Sequence, residues 1–119
     1  RVPPGAHGLH IHENGACQPP DFQSAGGHYN PGDSDHGYMA PGGRHAGDLP
    51  NIVAGADGTA AADILADRVS LGTGRATLFP QGGTALVLHA GPDDYRTNPA
   101  GASGTRIACG VIVRTTRPE

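Results

Sequence analysis

Apolar and polar side chains alternate in one short segment near the start of the chain, residues 8–13. Leu9 and Ile11 alternate there with His10 and His12. Because a β-strand has a side-chain period of two, the pattern places both histidines on one face and both aliphatic residues on the other. The segment is therefore predicted to be a strand, and its histidine pair is predicted to chelate one metal ion.

Four further apolar runs predict strands, bounded by glycine, proline or aspartate as short strands usually are. The weakest of them is alanine-rich, at residues 60–65. Val69 and Leu71 are expected in the core. No segment has the periodicity of a long amphipathic helix, so the fold class is predicted to be all-β, a small sandwich or barrel. The predicted strands cover residues 49–54, 60–65, 84–90 and 106–113.

Two long polar segments separate these strands, residues 14–48 and 91–105. The first is rich in Gly, Pro, Asp and His and shows little periodicity. A loop of this length in a compact domain is usually functional or disordered. The potential ligands within it indicate that a metal could order it.

Composition limits the core and the classes of partner. The chain has 119 residues, with 20 glycines, 11 prolines and 36% hydrophobic residues. This length predicts one domain, and a core this thin predicts additional stability from metals or a disulfide. The formal charge of −3 gives no basic patch for nucleic acid, and no apolar run is long enough for a membrane span.

The seven histidines form a pattern that predicts two adjacent metal sites, because neutral imidazole is the commonest protein metal ligand. Taken singly, the candidate residues have ordinary interpretations, and only their joint spacing favours metal binding. His7 is more typical of a structural residue and Arg106 of a surface cation, whereas His89 fits a capped strand end and a ligand equally well. The pattern around the others is also compatible with a solvated loop for His36, a turn cap for Asp48 and a solvated acidic pair for Asp93.

Cys17 and Cys109 are the two cysteines and lie near opposite ends of the chain. Their positions favour a disulfide that closes almost the whole chain, which in the chain-entropy model contributes roughly 4–5 kcal/mol. A disulfide would in turn favour an oxidising compartment, so that the protein is expected to be secreted, periplasmic or part of the cell envelope. The alternative is a pair of buried free thiols.

Five segments together resemble the copper–zinc superoxide dismutase family, in its bacterial secreted form. They cover nearly the whole chain in the family's order, and the spacings within the first long loop also match. A single His-x-His pair would be a weak signal, whereas the five together are specific. The segments are HGLHIHENG at 7–15, SAGGHYNP at 24–31, HAGDLPNI at 45–52, LVLHAGPDDY at 86–95 and GTRIACGVI at 104–112.

The resemblance implies a Greek-key β-barrel or sandwich with two long functional loops. It also implies two ligand sets that share His28 as a bridging imidazolate, with His7 structural and not a ligand. Asp93 would accept hydrogen bonds from His10 and His36, Arg106 would hold the anionic substrate, and Cys17 and Cys109 would form the family's disulfide. The implied copper ligands are His10, His12, His28 and His89, and the implied zinc ligands are His28, His36, His45 and Asp48.

The chemistry of these sets agrees with the metals that the family implies. Four nitrogens in a flattened arrangement suit Cu(II), and three histidines with one carboxylate suit a closed tetrahedral Zn(II) site. A carboxylate behind the ligands, such as Asp93, fixes their tautomers. An arginine beside open copper, such as Arg106, focuses positive potential in a net-negative protein whose substrate is an anion.

Two functions are therefore considered. The first is superoxide dismutase, an enzyme that converts superoxide to oxygen and hydrogen peroxide by alternating reduction and oxidation of copper. The second is a non-catalytic copper- and zinc-binding module, or an inactive fragment. The intact copper set and Arg106 favour the enzyme, whereas the apparent N-terminal truncation favours the alternative.

The chain departs from the family before His7, where only residues 1–6 stand in place of the usual three strands. Residues 1–119 are accordingly expected to form the C-terminal two-thirds to three-quarters of a superoxide dismutase-like domain. The uncovered apolar face is expected to pair with the missing N-terminal segment or with a second copy in a homodimer. The segment at 18–23 resembles bacterial rather than animal relatives.

Overall fold

The computed structural model describes residues 2–40 and 43–114. Its regular structure consists of five β-strands and one short 3₁₀ turn, Gln23–Ala25, so the all-β prediction is confirmed. Among the described residues, no helix has the length and apolar character needed to cross a membrane. The strands are β1 (Gly5–His7), β2 (Leu9–His12), β3 (Ile52–Ala54), β4 (Thr84–His89) and β5 (Arg106–Ile112).

The strands form two antiparallel sheets. β1 pairs with β3, and β4 lies between β2 and β5 in a three-stranded sheet. Leu9 is opposite Leu88 and His10 is opposite Val87. Since side chains alternate between the two faces of a sheet, this register places His10 and Val87 on one face and Leu9 and Leu88 on the other.

Each face of the three-stranded sheet carries its own apolar cluster. Ile11 packs with Tyr29 and Leu49 on one face. Ala85 and Val87 pack with Ala25 on the other, which is also the face of His10 and His12. Both clusters are small, and four of the largest fully buried side chains are histidines, namely His7, His10, His12 and His36.

The first face is only partly covered. An apolar groove of about 500 Å³ runs along it, lined by side chains of β2, β4 and β5 together with Ile52 and Ala62. Leu86 in this groove is 37% exposed. The sheet therefore presents aliphatic surface where a larger barrel would have a core.

The predicted disulfide is present between Cys17 and Cys109, whose Cα atoms are 5.6 Å apart across a sequence separation of 92. Both cysteines pack against the cluster of Ala25, Ala85 and Val87. The disulfide therefore fastens β5 to the loop that leaves β2, on the face that carries the histidines. A disulfide in this position fits an oxidising compartment.

Two predictions made from the sequence are wrong, one of a strand and one of a core residue. Residues 60–65 form no strand, because small alanines and Asp63 present little apolar surface that pairing could bury. Leu71 is 67% exposed and therefore is not a core residue, whereas Val69 does pack against the cluster of Ile11. The strands predicted at 84–90 and 106–113 are confirmed and end one residue earlier, at His89 and Ile112.

Candidate metal centre

The strand β2 is the base on which the site is built. His10 and His12 are fully buried on one of its faces, as the alternation predicted. Segments of the long loop then pair with β2 through isolated bridges, His12 with His28 and His10 with Asp48. Backbone pairing to one strand therefore places the loop's side chains beside those of the strand.

Four histidines from three parts of the chain converge on one point. His10 and His12 come from β2, His28 from the loop and His89 from the end of β4, and one ligand atom of each lies within 4.8 Å of the others. All four side chains are buried. One ring nitrogen of each histidine has no hydrogen-bond partner, namely His10 Nδ1, His12 Nε2, His28 Nε2 and His89 Nε2. Buried polar atoms without a partner are costly, and a metal ion is a ligand that all four could share.

The second ring nitrogen of three of these histidines is engaged by the protein. Because each partner is an oxygen acceptor, the ring nitrogen donates, which fixes the ring and leaves the other nitrogen as a lone-pair donor to metal. The hydrogen bonds run from His10 Nε2 to Asp93 Oδ2 (2.7 Å), from His12 Nδ1 to the carbonyl of Gly26 (2.9 Å) and from His89 Nδ1 to the carbonyl of Gly104 (3.1 Å).

A second cluster lies around the carboxylate of Asp48. Its Oδ1 is 2.9 Å from Nδ1 of His28, 2.9 Å from Nδ1 of His36 and 3.3 Å from Nδ1 of His45. Its Oδ2 accepts backbone N–H groups of Gly37 and His45. Three imidazole nitrogens and one carboxylate oxygen form a donor set that suits tetrahedral zinc.

Another possible grouping around Asp48 combines its carboxylate with His10, His28 and His36. We favour His45 over His10 as the fourth member. The Nδ1 atoms of His45 and His28 are 3.2 Å apart, and the Nε2 of His10 is already bound to Asp93. His10 therefore belongs to the first cluster.

The carboxylate of Asp93 joins the two clusters from behind. Its Oδ2 accepts from His10 and its Oδ1 accepts from His36 at 2.8 Å, which are the two contacts that the resemblance implied. The backbone N–H of Tyr95 also donates to Oδ1. Asp93 is 3% exposed, so these contacts are shielded from solvent.

The protonation states that burial imposes on the first cluster suit metal binding. Burial lowers the pKa of His12 to about 3 and of His28 to about 4, and it also lowers the pKa of His10 and His89. These four rings are therefore neutral at pH 7, the form that binds metal. Burial also lowers the pKa of His36, but the carboxylates of Asp48 and Asp93 outweigh it and raise that pKa to about 9.

The first cluster opens on one side to a cleft of about 530 Å³. His12, His28 and His89 line this cleft, whereas His10 lies behind them and is fully buried. Arg106 also lines the cleft, and its Nη1 donates to the carbonyl of Phe22 at 2.9 Å. The charge of Arg106 contributes to the lowered pKa of both His12 and His89, although burial is the larger cause.

His7 lies outside both clusters. It is buried in β1, and its two ring nitrogens lie 2.8 Å from the carbonyl oxygen of His89 and 2.6 Å from that of Pro3. Both nitrogens are occupied by backbone groups, so the side chain links β1 to the end of β4. This agrees with the prediction that His7 is structural.

Sequence reasoning missed two asparagines that hold the site together. The amide of Asn51 accepts the backbone N–H of Asp93 at 2.8 Å and donates to its carbonyl at 3.0 Å. The side chain of Asn98 accepts the backbone N–H of His36 at 2.7 Å. The two residues of each contact lie 42 and 62 positions apart in the sequence, so no local sequence pattern predicts these hydrogen bonds.

Two glycines were missed for the same reason. A Cβ on Gly47 would lie 2.2 Å from the carbonyl oxygen of Ile11, so only glycine lets the loop approach β2. A Cβ on Gly101, where φ is +67°, would lie 1.8 Å from Oδ1 of Asp93. Each glycine therefore creates space that the candidate metal centre occupies.

The fold is all-β, the two histidine clusters share His28, a carboxylate lies behind them and an arginine lies at the open side. Together these features define a class of two-metal protein. The chain belongs to the family described as copper/zinc superoxide dismutase, whose sequence model matches residues 1–112. It is 52% identical over 113 residues to superoxide dismutase [Cu-Zn] 1 of Aquifex aeolicus, covering 93% of this chain and 67% of the relative. It is 48% identical to superoxide dismutase [Cu-Zn] of Caulobacter vibrioides, covering 92% and 64%.

Solved structures agree with this assignment. A double mutant of a superoxide dismutase-like protein from Bacillus subtilis superposes with a TM-score of 0.91 at 47% identity, covering 95% of this chain and 75% of that one. The Cu/Zn superoxide dismutase from Brucella abortus superposes with a TM-score of 0.73 at 35% identity, with the same coverage. The predicted family and its bacterial character are confirmed. The chain spans about two thirds of the length of the relatives it matches.

Proposed function

We propose that the protein is a superoxide dismutase, which converts two superoxide ions and two protons to oxygen and hydrogen peroxide. One observation carries the proposal. Four buried, unpartnered histidine nitrogens converge beside a cleft that also holds an arginine. The family also includes a relative named superoxide dismutase-like protein, so it is the ligand and cleft residues of this chain that support the activity.

Copper would be held by His10, His12, His28 and His89. The four unpartnered nitrogens fit it, because imidazole suits copper and all four rings are neutral at pH 7. Bound copper would supply the electron acceptor and donor, as Cu(II) and Cu(I) in turn. The protein's part is to hold the rings through the hydrogen bonds to Asp93, Gly26 and Gly104.

Zinc would be held by His28, His36, His45 and Asp48. Because this donor set is closed, with four protein ligands, its role is structural. His28 has Nδ1 in this cluster and Nε2 in the other, which supports a bridging role. Since His28 also lines the cleft, its Nε2 would be placed to hold a proton, and to release it to the product peroxide, whenever that nitrogen is not bound to copper.

Arg106 would attract and orient superoxide. Its guanidinium lies in the same cleft as His12 and His89 and is fixed by the carbonyl of Phe22. A fixed cation at the entrance raises the local concentration of an anion even when the whole protein is net negative. Burial lowers the pKa of this guanidinium, yet an arginine keeps its charge at any physiological pH.

The disulfide supports a secreted, periplasmic or cell-envelope location, since such bonds persist in oxidising compartments. We also propose that residues 1–119 form one superoxide dismutase-like domain, of which residues 1, 41, 42 and 115–119 lie outside the described residues. Pairing of the chain with a second copy or an N-terminal segment stays a prediction. The apolar groove on β2, β4 and β5 supports it, and sedimentation of the purified chain would test for the second copy.

The test is superoxide decay after stopped-flow mixing with protein loaded with copper and zinc. Free copper also consumes superoxide, so the assay is run with EDTA present. The matched control is His89→Gln, which removes one copper nitrogen and leaves the zinc cluster intact. We expect EDTA-resistant activity in the parent and little in the variant. Loaded parent protein with no such activity would support the metal-binding module instead.

A further inference from the structure

The cleft beside the first cluster is lined by one charge that attracts an entering anion and one that repels it. Among the residues that line it, two carry a formal charge at neutral pH, Arg106 and Asp21. The formal charge of the lining is therefore zero at the place where an anion must enter. This inference rests on the proposed function, in which that anion is superoxide.

The same short turn fixes both charges. The backbone N–H of Gln23 donates to Asp21 Oδ1 at 3.1 Å, and Arg106 Nη1 donates to the carbonyl of Phe22 at 2.9 Å. Asp21 is therefore one residue away from the group that anchors Arg106. Residues 21–23 hold the carboxylate and the guanidinium as one unit.

The two charges do not neutralise each other by direct contact. Within the described part of the chain, Asp21 and Arg106 form no ion pair, and the second oxygen of Asp21 has no hydrogen-bond partner. Asp21 is exposed but lines the cleft, so its field acts on an anion that enters there. That field also reaches Arg106, because the Asp21 charge acts to raise the pKa of the guanidinium against the larger lowering effect of burial.

We propose that the carboxylate of Asp21 opposes the charge of Arg106 and thereby reduces the capture of small anions in the cleft. The carboxylate touches neither ligand cluster among the described contacts, so its effect is on entry and not on metal binding. Removing its charge leaves Arg106 unopposed. The protein is then expected to bind anions more tightly and to react with superoxide faster.

Asp21→Asn is the sharpest variant, because an asparagine oxygen can still accept the N–H of Gln23 and keep the turn. Asp21→Glu retains the charge. Asp63→Asn is the matched control, since it removes one negative charge from an exposed site that does not line the cleft. Equal copper and zinc content in all four proteins is confirmed by metal analysis before any comparison.

The first readout is azide affinity. It is measured from the change in the copper absorption spectrum as azide is added. One unit charge about 10 Å from an anion in water changes its affinity about twofold. We therefore expect Asp21→Asn to bind azide about twofold more tightly at low ionic strength. The gain should shrink towards 0.1 M salt, where the screening length is about 10 Å. Asp21→Glu and Asp63→Asn should match the parent.

The second readout is the rate of superoxide decay, which should rise about twofold in Asp21→Asn and follow the same salt dependence. Azide affinity equal to that of the parent, or an equal gain in Asp63→Asn, overturns the proposal. A parent without dismutase activity overturns the proposed function alone. In that case tighter azide binding by Asp21→Asn still supports a cleft whose anion affinity is limited by Asp21.

Discussion

Replacement of Gly101 by alanine is expected to damage the link between the two ligand clusters without replacing a ligand. The new Cβ would lie 1.8 Å from Oδ1 of Asp93 and 2.8 Å from Nε2 of His36, and heavy atoms essentially never approach a Cβ within 3.0 Å. The carboxylate must therefore move by more than about 1 Å. Its 2.8 Å hydrogen bond with His36 cannot survive that displacement.

The magnitude follows from what is lost. A hydrogen bond between charged groups contributes about 1.5–3 kcal/mol, and an alanine in the left-handed region costs about 1 kcal/mol. The metal-free variant should therefore be less stable than the parent by about 2.5–4 kcal/mol. Since partners behind metal ligands tune affinity by about 10–100-fold, zinc should also bind correspondingly more weakly.

The control is Gly82→Ala. Gly82 has φ of +92°, and a Cβ there would meet no atom within 4 Å, so this variant carries the backbone strain alone. Urea unfolding of the metal-free proteins and zinc competition against a chromophoric chelator measure the two effects. If both variants lose the same stability and the same zinc affinity, Gly101 is only a turn residue and the reasoning from Asp93 is wrong.

Three further outcomes are expected. Asp48→Asn should lose zinc while copper is retained, because its carboxylate is one of the four proposed zinc ligands and is not a copper ligand; metal analysis showing copper lost first would contradict this. Arg106→Glu should keep both metals but slow superoxide decay at least tenfold and weaken or invert its salt dependence, whereas parallel salt slopes would make Arg106 an ordinary surface residue. In the metal-free protein the pKa of His36 is raised to about 9. The stabilisation that protonated His36 provides is therefore complete below about pH 6.5 and is lost as the pH rises through about 9. The difference in Tm between the parent and His36→Gln should therefore narrow over that interval.

The chemistry of the site could be read from the sequence because it depends on residue type and short spacing. His10 and His12 share a face through the two-residue period of a strand, and that placement holds in β2. The five quoted segments indicated the family and its disulfide. These features are encoded locally, or in the order of segments, and need no knowledge of packing.

The strand predictions failed where the local pattern was weak. The alanine-rich run at 60–65 has only a weak strand pattern, and its small side chains bury too little surface to hold it in a sheet. Leu71 is apolar, but burial of a single leucine depends on which segment covers it. In both cases the outcome depended on neighbours that are distant in sequence.

Tertiary structure alone decided how the ligands are held. The loop reaches β2 because Gly47 has no side chain to collide with Ile11, and Asp93 is held by Asn51 and accommodated by Gly101. It also placed Asp21 in the cleft with Arg106. The sequence by itself determined which atoms can bind metal, because that is a property of the side chains. Their distances, burial and opposing charges arise only when segments far apart in the chain meet, and so they could be known only from the folded protein.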